Sequence, residues 1–349
     1  SHLLDMDRAA DRLAAAIVAG EPVAVFGDYD VDGATSSALL QRFFRAVGRP
    51  LRVYIPDRIA EGYGPNAPAL LKLRQEGISL AVTVDCGITA HDPLAAAAEA
   101  GLEVIVVDHH AAEAKLPPAS AVVNPNRLDE SSPHRTLAAV GVAFLLVVAT
   151  NRALRRAGFY TPARPEPDLL QWLDLVALGT VADVVPLTGL NRVLVAQGLK
   201  VMAGNGNAGL AALIEVARID QRLQASHLGF YLGPRVNAGG RVGTPDLGVR
   251  LLAAEQRLEA LPLAQRLDEL NRERQQIEAQ VLDDALVRLA EGPAPEGLVL
   301  AAGEGWHPGV IGIVASRLKE RFNLPALVVA LDGETGKGSA RSVAGLDLG

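Results

Sequence analysis

A single cysteine, Cys86, stands in 349 residues. One thiol excludes an internal disulfide framework and fits a reducing compartment. Aromatic residues make up only 4%, so the cores must be built from Ala, Val and Leu. No apolar run approaches the roughly 20 residues that a membrane helix needs. The opening residues carry no basic-apolar leader, and the first residue is Ser, as expected of a clipped or engineered start. Positive charge is scarce: Lys and Arg total 33 against 40 Asp and Glu, a formal net charge of −7. Nucleic-acid binders are usually basic. The balance counts weakly against a polyanionic substrate, because bound cations would neutralise several acids. A local basic patch also acts within a Debye length of about 8–10 Å. Internal repeats and low-complexity tails are absent.

What the chain has is apolar residues, 49% of the total, and a length that points to two domains. Pro22–Phe26, Leu51–Ile55, Leu80–Val84, Val104–Val107 and Ala121–Val123 read as strands. Residues 34–47, 66–75 and 91–100 read as the helices between them. Such alternation predicts an α/β fold: a parallel sheet with helices on both faces, its strands nearly continuous apolar runs, as expected when both sides are buried. Residues 138–157, 168–180 and 189–203 form a helical block. Apolar positions 263, 267, 270, 277 and 281 then mark a long half-exposed connector helix, with Pro262 at its start and Gly292-Pro293-Ala294-Pro295 at its end. A second, smaller α/β pattern follows: strand Leu298–Ala301, helix 309–322, strand Ala326–Ala330, strand-like Ser339–Val343. The expected division is residues 1–250, connector 251–292, and residues 293–349, the last incomplete.

The chemistry lies at strand ends. Asp108-His109-His110 follows the run Val104–Val107. Asp85 follows Leu80–Val84, and Asp28-Tyr29-Asp30-Val31-Asp32-Gly33 follows the first strand. Asp183 sits in an otherwise apolar stretch, where an acid is costly to bury unless charged partners meet it. The D-x-D-x-D-G string suggests an EF-hand, but position 12 would be Leu39 and a strand precedes the loop. One acid at a strand end is often only a helix cap. Three at alternate positions of an extended loop would converge and repel unless a cation joined them. Several acids at one edge of a parallel sheet fall where open α/β folds bind ligands. Carboxylates with imidazoles can hold two divalent cations, and two cations can cut a phosphodiester.

In this order, the D-x-D loop, the strand-end Asp, the Asp-His-His and the later Asp resemble the DHH phosphoesterase superfamily. Further segments are similar to its branch of single-strand-specific 5′→3′ DNA exonucleases. They are Gly27–Ser36, Pro56-Asp57-Arg58 with Glu61-Gly62-Tyr63-Gly64, Gly233–Arg241, and Gly305–Gly312. The resemblance spans nearly the whole chain. It implies Asp30, Asp32, Asp85, His109 and Asp183 as metal ligands, with Asp85 bridging two ions of Mn²⁺ or Mg²⁺. Asp28 is implied as a ligand or a base, Asp108 as the group that orients the histidines, and His110 as the one facing the scissile phosphate. Many members carry a His four residues before the first ligand Asp; here that place is Phe26, which makes water or Asp28 the substitute.

On the substrate side, Arg58, Arg235 and Arg241 lie near glycines or prolines, as loop residues do, and could grip phosphate oxygens. Asn237 belongs to the same segment. Ser339, Arg341 and Ser342, in the Gly336–Ser342 segment, are implied as contacts of a terminal 5′-phosphate opposite the metals. His307 and Trp306 are candidates to touch bases, and Trp306 is equally a candidate core anchor. His2, His91, His134 and His227 lack ligand company, and Cys86 reads as packing. The implied substrate is single-stranded DNA, threaded between the domains in DNA repair or recombination. The alternatives are a phosphodiesterase of short oligonucleotides or small nucleotides, and a non-catalytic binding module. The resemblance also implies a cytoplasmic bacterial protein, monomeric, working beside a single-strand-binding protein and a helicase. Related chains continue into further domains, so this chain is expected to be a fragment.

Overall fold

The computed structural model describes residues 3–346; His2 lies outside them. The chain divides into two units, Ser1–Gly240 with Thr244–Asp268, and Arg241–Gly243 with Glu269–Gly349. The first begins with α1 (Met6–Ala19), β1 (Val23–Gly27), α2 (Val31–Ala46), β2 (Arg52–Tyr54) and α3 (Ala67–Gln75). Then come β3 (Leu80–Val84), α4 (His91–Glu99), β4 (Glu103–Val107) and β5 (Ala121–Val123). Apart from α1, which was not expected, these are the expected alternating elements; β3 and β5 match at both ends, and the others shift by at most three residues. The strands form one parallel sheet in the order β2-β1-β3-β4-β5. Every residue of β1 and β3 is buried. Phe26, Val106 and Val122 face one way, onto Leu70, Leu73 and Leu94 of the helices α3 and α4. On the other side Phe43 packs edge-to-face on Trp172 at 6.3 Å.

Register places the site. Gly27 lies beside Val84, and Val84 beside Val107, so β1, β3 and β4 end level. Asp28, Asp85 and Asp108 therefore start their loops along one edge. The order of the strands reverses between β1 and β3, which is where such sheets open a crevice.

The helical block is α5 (Ala139–Arg156), a 3₁₀ turn Leu169–Trp172, α6 (Leu173–Ala182) and α7 (Gly189–Ala203), then α8 (Ala208–Val216), α9 (Ala225–His227) and a π-helical turn Leu228–Leu232. After these come α10 (Gly233–Val242), α11 (Leu247–Ala253) and α12 (Arg257–Glu291). Two expectations fail here. Arg235 and Arg241 are not on a loop but on α10. Pro234, which has no N–H to donate, follows directly on the π-helical turn, where Gly233 N–H already reaches back to Leu228 O, and the helical run continues across it. The glycines serve close approach: a Cβ at Gly240 would fall 2.5 Å from the Tyr29 carbonyl oxygen. Pro262 does not start the long helix but sits inside it, five residues after Arg257.

The second unit carries β6 (Val299–Glu304), α13 (Ile311–Phe322), β7 (Ala326–Asp332) and β8 (Thr335–Arg341). β6 and β7 are parallel, and β7 and β8 antiparallel. The Gly336–Ser342 segment is mostly strand, and β8 begins four residues earlier than the strand-like stretch expected from Ser339. Gly338 pairs with Val329 and Ser339 with Val328, so backbone pairing overrides the low strand preference of glycine.

Candidate metal centre

The D-x-D-x-D string is not an extended loop. Asp30 caps α2, accepting from Gly33 N at 3.0 Å, and Asp32 is already in the first helical turn. A helical turn rotates successive side chains by about 100°, so the three carboxylates separate into two groups instead of converging. Asp28, Asp30 and Asp85 can offer ligand atoms within 4.8 Å of one another, and so can Asp32, His109 and Asp183. A third such set, Asp85, His109 and His110, lies between them.

Asp32 is buried, yet both its oxygens are used. Oδ2 accepts from Ala139 N at 2.6 Å and Oδ1 from Val140 N at 2.9 Å. Ala138, at the start of α5, offers no side-chain cap. Asp32 thus caps that helix from over 100 residues away (|i−j| = 107), and the partial positive charge of the helix end favours its ionised form. Asp183 has the opposite placement. It follows the last turn of α6, where unpaired carbonyls disfavour an acid. A cation at this point would resolve the conflict.

Asp85 has φ +61, a left-handed conformation for a non-glycine residue and a mark of strain. Its N–H donates to Val107 O at 3.0 Å, and its carbonyl accepts from the Tyr63 hydroxyl at 3.0 Å. His109 Nε2 lies 3.3 Å from Asp85 Oδ1, 3.6 Å from Asp183 Oδ2 and 3.8 Å from Asp32 Oδ2. Asp108 is turned inward. It accepts from Ile88 N at 3.0 Å, from His109 N at 2.7 Å, and from His110 N and Nδ1 at 3.2 and 2.7 Å. Beyond the sheet edge, Asn126 Nδ2 donates to the His109 carbonyl at 2.5 Å and Asn124 Nδ2 to that of His110 at 3.0 Å. Tyr63 entered the sequence reading only as part of the Glu61–Gly64 segment, with no role of its own, and Asn124 and Asn126 escaped it. The two Asn residues follow β5 as the acids follow β1, β3 and β4, a positional signal that could have found them.

The titration pattern reflects crowded like charge. Burial, then the charge of Asp30, raises the Asp28 carboxyl to about 8 and that of Asp183 to about 7. Burial followed by neighbouring carboxylates also raises Asp32 and Asp85 well above the usual range. Burial would raise Asp108 too, but the hydrogen bonds and charge of His110 hold it low. In return, its bond to Asp108 lifts His110 to about 8. Burial lowers His109, favouring the neutral imidazole that a metal requires. Asp28 Oδ1, Asp85 Oδ1, Asp183 Oδ2 and His109 Nε2 are buried without any hydrogen-bond partner. Such groups are expensive to leave unpaired. These four atoms, in a mixed oxygen and nitrogen set, fit divalent cations such as Mn²⁺ or Mg²⁺. Phe26 takes no part: it is fully buried and stacks on Tyr54 at 5.2 Å, while Asp28 stands beside Asp30 and Asp85.

The substrate-side candidates divide between the units. Arg58 lies in a turn, 5.1 Å over the Tyr29 ring, and its charge reaches Asp28. Asn237 accepts from Val31 N at 3.1 Å, bracing the acidic turn. Arg235 is engaged by Asp268 Oδ1 at 2.9 Å and by Tyr231 O at 2.8 Å. In the second unit Arg241 donates to Gly309 O at 3.2 Å, and His307 Nδ1 accepts from Gly309 N at 3.0 Å. Trp306 is a core anchor: it is buried among Val310, Val314 and Val328, and its Nε1 donates to Asp284 at 2.8 Å. Arg341 donates to Ser339 Oγ at 3.1 Å. Both lie against Gly312, near the start of α13, where a Cβ would fall 2.9 Å from Arg341 Nη2 and 3.0 Å from Ser339 Oγ. The Ser342 hydroxyl donates to Leu346 O at 2.5 Å.

The chain matches the DHH family, N-terminal domain, over residues 22–180 and the DHHA1 domain over residues 295–349. It is 42% identical over 351 residues to the single-stranded-DNA-specific exonuclease RecJ of Dickeya dadantii (strain 3937), covering 98% of this chain and 61% of that protein. It is 43% identical over 357 residues to that of Escherichia coli (strain K12), covering 99% and 62%. The chain thus spans about three-fifths of the length of these relatives. A crystal structure of exonuclease RecJ bound to manganese superposes with a TM-score of 0.86 at 37% identity, covering 99% of this chain and 84% of that one. RecJ from Thermus thermophilus in complex with Mn²⁺ gives 0.82 at 36%, covering 98% and 48%.

Proposed function

The chain belongs to the RecJ family of DHH phosphoesterases, and from that premise we propose that it hydrolyses single-stranded DNA from the 5′ end. The observation that carries this reading is the set of four buried, partnerless ligand atoms at one sheet edge. Asp28, Asp30 and Asp85 would hold one divalent cation and Asp32, His109 and Asp183 a second, with Asp85 between them. Such ions would supply Lewis-acid chemistry, lowering the pKa of a water and offsetting charge on the attacking and leaving oxygens.

The chain's own groups do the remaining work. Asp108 fixes the His110 ring through Nδ1, leaving Nε2 for the substrate. In the metal-free fold the bond to Asp108 raises His110 to about 8, which favours its cationic form. It then neutralises charge growing on the phosphoryl group and can deliver a proton to the leaving oxygen. Asn124 and Asn126 hold the histidine backbone in register. Arg58, whose charge reaches Asp28, would take a phosphate oxygen, and by the family resemblance Ser339, Arg341 and Ser342 would take a terminal 5′-phosphate. A role in repair or recombination, a bacterial cytoplasmic location, a monomeric state, and work beside a single-strand-binding protein and a helicase belong to the same reading. They are supported by the family alone. No helix among the described residues is long and apolar enough to cross a membrane.

The test is degradation of end-labelled single strands of both polarities, with and without Mn²⁺. The expected result is Mn²⁺-dependent release of mononucleotides from the 5′ end. Cleavage confined to dinucleotides would replace this reading with a small-nucleotide phosphodiesterase.

A further inference from the structure

Val184 has φ +63 and is 86% exposed. A β-branched residue is strained in the left-handed region, where glycine or asparagine sits more easily. At that exposure the fold makes little use of its isopropyl group, so folding alone gives no reason for a valine. It directly follows Asp183, one of the proposed ligands. The π-helical turn Leu228–Leu232 packs on the same end of α6. A Cβ at Gly229 would lie 3.4 Å from Val181, and one at Gly233 3.2 Å from Ala182 and 4.0 Å from Val31. Val31 itself stands between Asp30 and Asp32. The turn buries Leu228 and Leu232 and sends Phe230 and Tyr231 outward, 80% and 46% exposed. Isolated π turns are uncommon and recur at functional sites. This one is braced: the Tyr231 ring meets His227 edge-on at 5.6 Å, and its carbonyl accepts from Arg235 at 2.8 Å.

We infer that Val184, Phe230 and Tyr231 form an apolar ledge beside the metal ligands that receives the unpaired bases of a nucleic-acid strand. The inference rests on the proposed nuclease function and deepens it by naming residues that recognise single strands. Three features select this occupant. The ledge adjoins Asp183 and the Asp30–Asp32 turn, so bases resting on it belong to nucleotides whose phosphates reach the cations. Its main contact group is an exposed aromatic ring, which stacks on any base face. Duplex DNA keeps those faces buried in its own stack, so a ledge of this kind favours single strands without reading sequence.

The test is fluorescence anisotropy of a labelled single-stranded oligodeoxynucleotide with the full chain in Ca²⁺. Phe230→Ala should weaken binding roughly 5- to 100-fold, the range for losing one stacked base. Phe230→Tyr should retain affinity, and Phe230→Leu should lose most of it. On an otherwise identical strand of abasic sites, wild type and Phe230→Ala should bind alike. Val184→Gly should raise Tm while weakening binding to the normal strand. Equal affinity of wild type and Phe230→Ala for the normal strand would overturn the ledge, as would an equal loss on the abasic strand. Cleavage measured in parallel separates this from the parent reading. A wild type that binds through Phe230 but never cuts removes the exonuclease and leaves the ledge. One that cuts with KM unchanged in Phe230→Ala removes the ledge and leaves the exonuclease.

Discussion

The two units treat their polar side chains in opposite ways. In the second, Trp306 donates to Asp284, His307 accepts from Gly309 N, and Arg341 donates to Ser339. These groups are satisfied by neighbours at or near the surface. In the first, four ligand atoms are buried without partners, the carboxyls around them titrate high, and Asp85 and Val184 hold strained left-handed conformations. A fold tolerates such a concentration of cost only where something outside the chain relieves it. The contrast puts the buried, unpartnered ligand atoms in the first unit, and the proposed function assigns the chemistry there.

The largest break in this contrast should come from Asp85. Asp85→Ala removes the buried carboxylate of the first ligand group, 3.3 Å from His109 of the second, and cleavage of single strands should fall below detection in a Mn²⁺ assay. Thermal melting in chelator should show Tm unchanged or higher, since the substitution deletes a buried, repelled charge. Next is the His110 pair. Asp108→Asn, which withdraws the partner that keeps His110 cationic, should slow kcat roughly 10²- to 10⁴-fold, with Mn²⁺ binding by calorimetry retained. Smaller again is the second unit. Arg341→Ala should raise KM for 5′-phosphorylated strands roughly tenfold, the scale of one lost charge-assisted contact, and leave kcat and Mn²⁺ binding intact. If it abolished Mn²⁺ binding instead, the division between the units would fail.

The smallest effect is one of pH. Unfolded carboxylates titrate near 4, whereas Asp28 and Asp183 keep their protons to about 8 and about 7 in the fold. Across that window the native chain binds more protons than the unfolded one, so its stability falls as pH rises. His110, raised to about 8, acts in the same direction; His109, lowered by burial, acts against it. Melts in chelator should therefore lose Tm between pH 5 and 8. Melts in Mn²⁺, whose ligands are already ionised, should stay level or rise.

The sheet was legible because β1, β3 and β4 are nearly continuous apolar runs, each followed by an acid. That pattern alone brought Asp28, Asp85 and Asp108 to one edge. The path of the D-x-D-x-D turn was not legible, because alternate spacing suits an extended loop as well as a cap followed by a helical turn. Nothing near Asp32 announces that its partners are Ala139 and Val140, since that contact depends on tertiary packing. The α10 helix was hidden for a related reason. Its glycines look like turn residues until Gly240 is seen pressed against the Tyr29 backbone. Asn124 and Asn126 act on the backbone carbonyls of His110 and His109; their position after β5 was legible, but which carbonyls they meet was not.

The central claim is that one crevice of the first unit binds two cations through Asp85. Isothermal titration of the metal-free chain with Mn²⁺ tests it most directly. The account predicts two ions per wild-type chain, and at most one weakly held ion in Asp85→Ala. A wild-type chain that takes up no Mn²⁺, or an Asp85→Ala chain that still binds two, would contradict it.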